Sequence, residues 1–397
     1  MTVTAPTDTP AENDAQNLRR PVYLDCNATT PVEPAVIEEI VRWTGEEFGN
    51  AGSRTHQYGQ AAKHRVNSAR ADIASVVGAR ADEVVFTSGA TESNNLAILG
   101  LASHGLQTGR LHIVSTQIEH KSVLGPLEEL SRRGFDVTLI RPTSGGWVDP
   151  GEVRAALRTD TLLVSTMAVN NETGVVQPIA EIADILNEHE AFFHVDAAQA
   201  FGKIMDPLRL RRIDLMSVSA HKIYGPKGIG ALIARRRRFT RLPLEPLQYG
   251  GGQERGLRPG TLAVPLIAGF GLAASLALRN HEQRAVKCAA IKRDALASLL
   301  PLGIELNGDP DRTIDHTINF SVRGVDSEAA IVALKNLAAV SNGSACTSQS
   351  YEPSHVLVAA GLPREQIEGA LRLSWSHLTV VDDWPAIAKT LKRLARE

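Results

Sequence analysis

The alternation of short β-branched runs with helical patterns after Leu24 constrains the fold more than any other feature. Helical patterns lie between many of these runs, for example over 179–188. Such alternation predicts an α/β domain with a largely parallel sheet, in which sites form at the carboxyl ends of the strands. The predicted strands are 84–87, 112–115, 137–140, 162–167, 192–196, 215–219 and 230–233.

The last third of the chain has a different pattern. From about Leu266 it becomes helical and then mixed, with strands over 317–322 and 371–374, a helix over 327–336 and a final amphipathic helix. We therefore predict a disordered extension over 1–20, a large domain over 31–265, and a small α+β domain made of 21–30 and 266–397.

Charge and composition exclude several classes of protein. The net charge is only -2, which gives no electrostatic basis for binding nucleic acid or an anionic membrane. The apolar stretch 262–278 contains Pro265 and is short for a bilayer span, so we expect a buried helix. The arginine run 235–238 is predicted to be a solvated strand end. Three cysteines make no disulfide framework and fit a reducing, cytoplasmic setting; we predict no metal site.

Two features at predicted strand ends indicate an anion site and a buried acid. Over 87–94 a strand leads through small residues into a helix N-terminus, where backbone N–H groups around Ala90 and Thr91 can hold a phosphate. The same residues also make an ordinary turn and N-cap. Asp196 ends an apolar strand, where an acid needs a partner such as a cationic ring nitrogen. An alternative for Asp196 is a cap on the next helix.

A third feature places Ser219, His221 and Lys222 between a strand and a Gly-Pro turn. A lysine in a partly desolvated pocket has a lowered pKa and can form a Schiff base, and Ser219 and His221 can donate to a phosphate. A lone lysine in this position is usually just solvated. An acid at a strand end followed 26 residues later by Ser-x-His-Lys is far more specific.

The fourth feature is Cys346, within the small, polar and glycine-containing stretch 341–350. Structural cysteines usually lie in apolar packing, which is the context predicted for Cys26 and Cys288. Cys346 is instead predicted to lie in a mobile surface loop, as an exposed nucleophile.

Taken together, these motifs resemble the cysteine desulfurases of the nitrogen-fixation and iron–sulfur assembly type, in the class V aminotransferase group. The resemblance covers nearly the whole chain after residue 21, including 23–31, 50–53, 118–121, 169–174, 250–261 and 343–346. It implies the α/β fold type I of transferases that use pyridoxal-5′-phosphate (PLP), with a mostly parallel seven-stranded sheet in a large domain and a smaller α+β domain. It also implies a homodimer.

The resemblance assigns the cofactor, PLP, to matching residues of this chain. Lys222 would carry it as a Schiff base and later act as the base at Cα. Asp196 would keep the ring nitrogen protonated, Gln199 would bond the ring oxygen, and His120 would stack on the ring and move protons. The cofactor would also be bound by Ala90, Thr91, Asn171, Ser219 and His221, with Thr261 reaching over from a second subunit.

The substrate implied by the resemblance is L-cysteine, held by Asn171 and by a fork from Arg372 to its carboxylate. Cys346 would attack the substrate sulfur, keep it as a persulfide and pass it to an acceptor protein, while alanine is released. The Arg372 motif departs from the family because it lacks the usual Leu-Gly after its serine, and Pro259 stands where serine is common.

The pathway stays open at this point. The start over 24–30 resembles desulfurases dedicated to DNA phosphorothioation, which implies an iron–sulfur protein of that pathway as acceptor; a cluster scaffold is the other candidate. The alternatives are a desulfurase for iron–sulfur assembly or thio-modification, a selenocysteine lyase, an aminotransferase in which Cys346 is incidental, and a scaffold that only binds a sulfur-relay partner.

Overall fold

A computed structural model describes residues 20–237, 239–342 and 353–395. The predicted extension, apart from Arg20, and Cys346 lie outside these residues. The strands are β1 (Val22–Tyr23), β2 (Val84–Thr87), β3 (His112–Thr116), β4 (Asp136–Ile140), β5 (Thr161–Met167), β6 (Phe192–Asp196), β7 (Leu215–Ser219), β8 (Gly230–Ala234), β9 (Glu305–Leu306), β10 (Thr317–Ser321), β11 (Ala338–Ala339) and β12 (Ala370–Ser374). The helices are α1 (Pro34–Gly45), α2 (Gln57–Val76), α3 (Ala90–Leu99), α4 (Ala102–Thr108), α5 (Lys121–Arg132), α6 (Pro150–Ala156), α7 (Ile179–Leu186), α8 (Val264–Arg279), α9 (His281–Leu299), α10 (Ser327–Leu334), α11 (His355–Ala359), α12 (Arg364–Glu368) and α13 (Trp384–Leu394).

A seven-stranded sheet forms the centre of the molecule, in the order β2-β8-β7-β6-β5-β3-β4. The five strands from β7 to β4 pair in parallel, and β8 runs antiparallel to both of its neighbours. The predicted α/β class with a mostly parallel sheet is therefore confirmed. The carboxyl ends of β5, β6 and β7 and the start of β8 meet at one edge of this sheet.

Both faces of β2, β6 and β8 are buried, which explains why these strands are mainly apolar, whereas the edge strand β4 is partly exposed. Neighbouring residues of one strand enter different hydrophobic clusters: Phe193 packs in the cluster with α2 and α8, whereas Phe192 packs in the cluster with α3 and α5. This split follows from the two-residue repeat of a β-strand, which points successive side chains to opposite faces.

A third hydrophobic cluster surrounds the antiparallel sheet β12-β10-β9, and it includes Leu24, Cys288 and Trp375. β1 pairs in parallel with β11, so the start of the chain joins this smaller unit. The division into two domains stays a proposal. The third cluster supports it for Leu24 and for the residues from Cys288 onward that it contains. Ile314 and helix α8 pack instead with the large sheet, α8 through Ile267 and Phe270.

Two predictions about apolar and basic segments have different outcomes. The stretch 262–278 contains most of α8, a buried helix, as predicted. The prediction of a solvated strand end is wrong for Arg235, which is only 4% exposed. Its guanidinium donates to the carbonyl oxygens of Leu208 and Val77, at 2.8 and 2.7 Å, and so joins two loops behind β8. Within the described residues, no helix has both the length and the apolar character needed to cross a bilayer.

Candidate active site

A cavity of about 640 Å³ opens at the carboxyl edge of the large sheet, next to residues of the smaller unit. Its volume lies in the usual range for cofactor and small-molecule sites. Ten of the twelve side chains predicted to act in binding or catalysis line this cavity. They are Ala90, Thr91, His120, Asn171, Asp196, Gln199, Ser219, His221, Lys222 and Arg372.

Asp196 lies at the carboxyl end of β6 and is 6% exposed. Its Oδ2 accepts a hydrogen bond from Asn94 Nδ2 at 2.8 Å, and its Oδ1 accepts one from the Ala198 N–H at 2.9 Å. These two donors fix the orientation of the carboxyl group, which lines the cavity. A cationic group of a ligand would find an acceptor here.

A hydrogen-bonded chain connects Asp196 with His120. Asn94 Nδ2 also donates to Ser122 Oγ at 2.9 Å, and Ser122 Oγ lies 2.7 Å from His120 Nδ1. The Ser122 N–H donates to the same Nδ1 at 3.1 Å, as His120 caps helix α5. Nδ1 is therefore an acceptor, which places the proton of the neutral ring on Nε2. Burial lowers the pKa of His120 below its ordinary value of 6.5, which leaves the ring neutral with an N–H at Nε2.

The loop after β7 holds Lys222 through contacts with the N-terminal segment 27–30. Lys222 Nζ donates to the carbonyl oxygens of Asn27 and Ala28, the latter at 2.8 Å. Thr30 Oγ1 donates to the His221 carbonyl oxygen and accepts from the Tyr224 N–H, both at 3.0 Å. The segment therefore fixes the direction from which the Lys222 amine enters the cavity.

The turn after Lys222 is held under backbone strain. Tyr224 has a φ of 68°, a backbone conformation that residues other than glycine rarely adopt. Its ring packs edge-on against His377 and under the Arg284 guanidinium, which offsets that cost. The strained turn redirects the chain immediately beyond the lysine.

The opposite end of the cavity is suited to a phosphate group. Helix α3 begins at Ala90 without a side-chain cap, so its first backbone N–H groups are available to an anion. Gly230 at the start of β8 allows the close approach of this loop, because a Cβ there would lie 2.6 Å from Gly89 Cα. Ser219 and His221 line the same end, and burial followed by the charge of Lys222 lowers the pKa of His221 to about 4, which leaves it neutral.

Arg372 enters the cavity from β12 of the smaller unit and is 2% exposed. Its Nη1 donates to the Asn171 carbonyl oxygen at 2.9 Å, and its Nη2 donates to Asp25 Oδ1 at 2.6 Å. Nε has no hydrogen-bond partner among the described residues. A guanidinium held in this way has donors left for a carboxylate in the cavity.

Two further predicted residues are not placed in the cavity by this structure. Thr261 is exposed and does not line it. Cys346 lies outside the described residues. The other two cysteines are buried, as predicted, and burial raises the pKa of Cys26 and of Cys288 to about 11.

The residues present fit PLP. The cavity offers an amine at Lys222, a hydrogen-bonded carboxylate at Asp196 and an uncapped helix N-terminus at Ala90. These three groups complement an aldehyde carbon, a protonated ring nitrogen and a phosphate, which are the distinguishing groups of this cofactor.

Sequence reasoning missed the residues that support this site. Asn94 and Ser122 connect Asp196 to His120, and Asp25 and Asn27 hold Arg372 and Lys222. Asn94 lies one helical turn beyond the predicted phosphate-binding residues Ala90 and Thr91. Its place on the same face of that helix was the signal in the sequence that could have identified it. Nothing local indicated the role of Asp25, whose partner is 347 residues away.

Comparison with known proteins agrees with this geometry. The family model "Aminotransferase class-V" matches residues 22–383. The cysteine desulfurase IscS of Anaeromyxobacter dehalogenans (strain 2CP-C) is 45% identical over 369 residues, covering 92% of this chain and 90% of that protein. The crystal structure of DndA from Streptomyces lividans is 49% identical with a TM-score of 0.79, covering 89% and 99% of the two chains. A structure described as SspA in complex with cysteine is 37% identical with the same TM-score, covering 90% and 100%.

The match spans both the large sheet and the smaller unit, and the identities lie well above the level at which only a fold is shared. The chain therefore belongs to the class V aminotransferase family, among its cysteine desulfurases, which are enzymes that use PLP.

Proposed function

We propose that this enzyme converts L-cysteine to L-alanine and keeps the sulfur on Cys346 as a persulfide before passing it to an acceptor protein. The observation that carries the proposal is the convergence of Lys222, Asp196, His120 and Arg372 on one cavity. When bound, PLP supplies an electron sink for the substrate carbon.

The side chains divide the work of proton transfer and orientation. Arg372 binds the substrate carboxylate, because its guanidinium is fixed by Asp25 and Asn171 and faces the cavity. Lys222 would hold the cofactor through its amine and, as a free amine, would take up the proton from the substrate Cα. His120, neutral because burial lowers its pKa, would move a proton through its Nε2. Asp196 balances the positive ring nitrogen.

Sulfur transfer requires a thiolate. The Cys346 Sγ would attack the substrate sulfur, so that an S–S bond forms while the substrate C–S bond breaks and its electron pair stays on carbon. That carbon is then protonated to give alanine. Cys26 and Cys288 are poor candidates for this step, because burial raises the pKa of each to about 11 and keeps them as thiols.

Contacts on both sides of 343–352 support a role for Cys346 at this cavity. On one side, the Arg372 N–H donates to the Ser341 carbonyl oxygen at 2.6 Å. On the other, Ser354 Oγ donates to the buried carboxylate of Glu172, and His355 Nε2 lies 3.0 Å from the carbonyl oxygen of Glu119, the neighbour of His120. Both flanks are thus bonded to residues in or next to the cavity.

The first test is the site of cofactor attachment. Borohydride reduction of the loaded enzyme followed by peptide mapping should place the pyridoxyl mass on Lys222. A label on Lys203 or Lys227 would contradict the assignment. In parallel, alanine should appear from cysteine without any keto acid, which an aminotransferase would require.

We further propose that the enzyme acts as a homodimer and that Thr261 completes the phosphate site of the partner. Thr261 is exposed in the single chain, and Tyr249 and Phe48 are large apolar side chains that are 87% and 67% exposed, as expected of residues that a second copy covers. Light scattering should give twice the chain mass, and an active monomer would contradict the proposal.

For the acceptor, we propose an iron–sulfur protein that serves DNA phosphorothioation. The support is the 24–30 motif, together with identities of 49% to DndA and 45% to IscS. Loading the enzyme with labelled cysteine sulfur and offering such a protein and a cluster scaffold in competition tests this. Preferential labelling of the scaffold would favour iron–sulfur assembly instead.

A further inference from the structure

Lys203 lies behind the cavity, on the segment that follows β6, and it contacts a residue of the cofactor site. Its Nζ donates to Gln199 Oε1 at 3.3 Å. Gln199 is 5% exposed and lines the large cavity, whereas Lys203 lines a separate, smaller cavity of about 120 Å³. Among the described residues, Gln199 is therefore the one through which Lys203 contacts the cofactor site.

The two partners of the Gln199 amide have fixed and opposite hydrogen-bonding character. The Lys203 ammonium donates and has no acceptor, and the Asn27 carbonyl oxygen accepts and cannot donate. Gln199 Nε2 donates to this carbonyl oxygen at 2.9 Å. A flip of the amide would bring N–H against N–H at one end and oxygen against oxygen at the other, so only one orientation satisfies both partners.

We propose that Lys203 is a positioning residue that fixes the Gln199 amide as a hydrogen-bond donor toward the bound cofactor. The inference rests on the proposed function, in which Gln199 bonds the ring oxygen of PLP. Nε2 carries two hydrogens, and only one is used by Asn27. The second hydrogen of Nε2 is available to the cofactor, because Lys203 binds the Oε1 end of the amide and leaves the Nε2 end directed away from it.

The surroundings of Lys203 keep it in this role at neutral pH. Burial, followed by the charge of Lys222, lowers the pKa of Lys203 to about 7. The neutral amine keeps N–H donors, so its contact with Oε1 survives the loss of the charge. It also gains a lone pair, and in that state the Asn27 carbonyl oxygen excludes the flipped amide. The Lys203 carbonyl oxygen lies 2.8 Å from His281 Nε2, which ties this segment to α9.

The test uses the visible absorption of the bound cofactor, a readout separate from turnover. A donor to the ring oxygen stabilises its negative charge and weakens its hold on the imine proton. In Lys203→Met the Oε1 end of the amide loses its donor, and the Asn27 carbonyl oxygen alone holds the amide less firmly. The pH midpoint of the absorption change should therefore rise by about one unit, a tenfold change in proton affinity. Gln199→Ala, which removes the amide donor itself, should raise the midpoint at least as much, and the double variant no more than Gln199→Ala.

Lys292→Met is the matched control, because Lys292 also donates from a partly buried position to backbone carbonyl oxygens, those of Thr313 and Ile314. It should leave the midpoint unchanged. An unchanged midpoint in Lys203→Met, or a further shift on adding it to Gln199→Ala, would overturn the proposal.

Two other variants keep the question open to experiment if Lys203→Met does not fold. Lys203→Arg retains a donor and should keep the wild-type midpoint, whereas Gln199→Glu loses the amide donor and should shift it. The opposite pattern would refute the role of Lys203. If the wild-type enzyme shows no cofactor linkage at Lys222, the proposed function fails first, and that outcome is distinguishable from a linked cofactor with an unaltered midpoint.

Discussion

Glu119 is a buried acid beside His120, and its protonation should be measurable as a pH-dependent stability. Its side chain is completely buried, and burial raises its pKa to about 8. Oε1 accepts from Thr116 Oγ1 at 2.7 Å and from the Met167 N–H at 2.9 Å, while Oε2 has no partner among the described residues. The perturbation we choose is Glu119→Gln, which keeps the shape and the accepting oxygen.

The sign follows from proton linkage. The unfolded chain releases this proton near the ordinary value of 4.5, whereas the folded chain holds it to about 8. Raising the pH between these two pKa values therefore lowers the free energy of unfolding of the wild type. Below the pKa of the unfolded chain this loss of stability is absent. At 1.36 kcal/mol per unit, the free energy of unfolding of the wild type should fall by about 2–3 kcal/mol from pH 5 to pH 7, relative to a variant that cannot ionise.

The assay is urea denaturation at both pH values and at one protein concentration. The difference in free energy of unfolding between Glu119→Gln and the wild type should move in favour of the variant as the pH rises. Glu128→Gln is the control, since Glu128 is 67% exposed in its ion pair with Arg132 and should change stability by at most about 0.5 kcal/mol. A difference that stays constant with pH would show that Glu119 is already ionised in the folded enzyme.

Three further substitutions test the contacts around the cavity. Asn94→Ala removes the donor to Asp196 and Ser122, so we expect unfolding to become easier by about 2–4 kcal/mol in urea and PLP to bind at least tenfold more weakly in a spectral titration; unchanged PLP affinity would contradict a role for Asn94 in supporting Asp196. Arg372→Lys loses the fork between Asn171 and Asp25 and should raise KM for cysteine roughly tenfold or more, while the cofactor spectrum stays as in the wild type; an unchanged KM would remove Arg372 from substrate binding. Ser354→Ala leaves the buried Glu172 carboxylate without its hydroxyl donor and should cost about 1–3 kcal/mol, whereas Ser354→Thr retains the donor and should cost less in the same measurement.

The parts of the site that lie at strand ends could be predicted from the sequence. Asp196 and Lys222 each follow an apolar run, and parallel strands bring their carboxyl ends to one edge. The small residues over 88–91 indicated a helix N-terminus at about Glu92, and helix α3 begins two residues earlier, at Ala90. In these cases a short stretch of sequence determines both the element and its end.

Contacts between distant segments could not be predicted in the same way. The segment 27–30 has no periodic pattern, and Asn27, which accepts a hydrogen bond from Lys222, is 195 residues away from it in the sequence. Arg235 appeared as part of a solvated basic run, because a local pattern does not show that four carbonyl oxygens converge behind β8. Charge in sequence predicts exposure only where no buried acceptors are present.

The central claim is that sulfur leaves the substrate through Cys346. The most direct measurement is mass spectrometry after one turnover with cysteine. It compares the wild-type enzyme with three variants, in each of which one cysteine is replaced by alanine. We predict one added sulfur on the wild type, on Cys26→Ala and on Cys288→Ala, and none on Cys346→Ala, which should still bind PLP at Lys222 but release little alanine. Added sulfur on Cys346→Ala, or mapping of the sulfur to Cys26 or Cys288, would contradict the account.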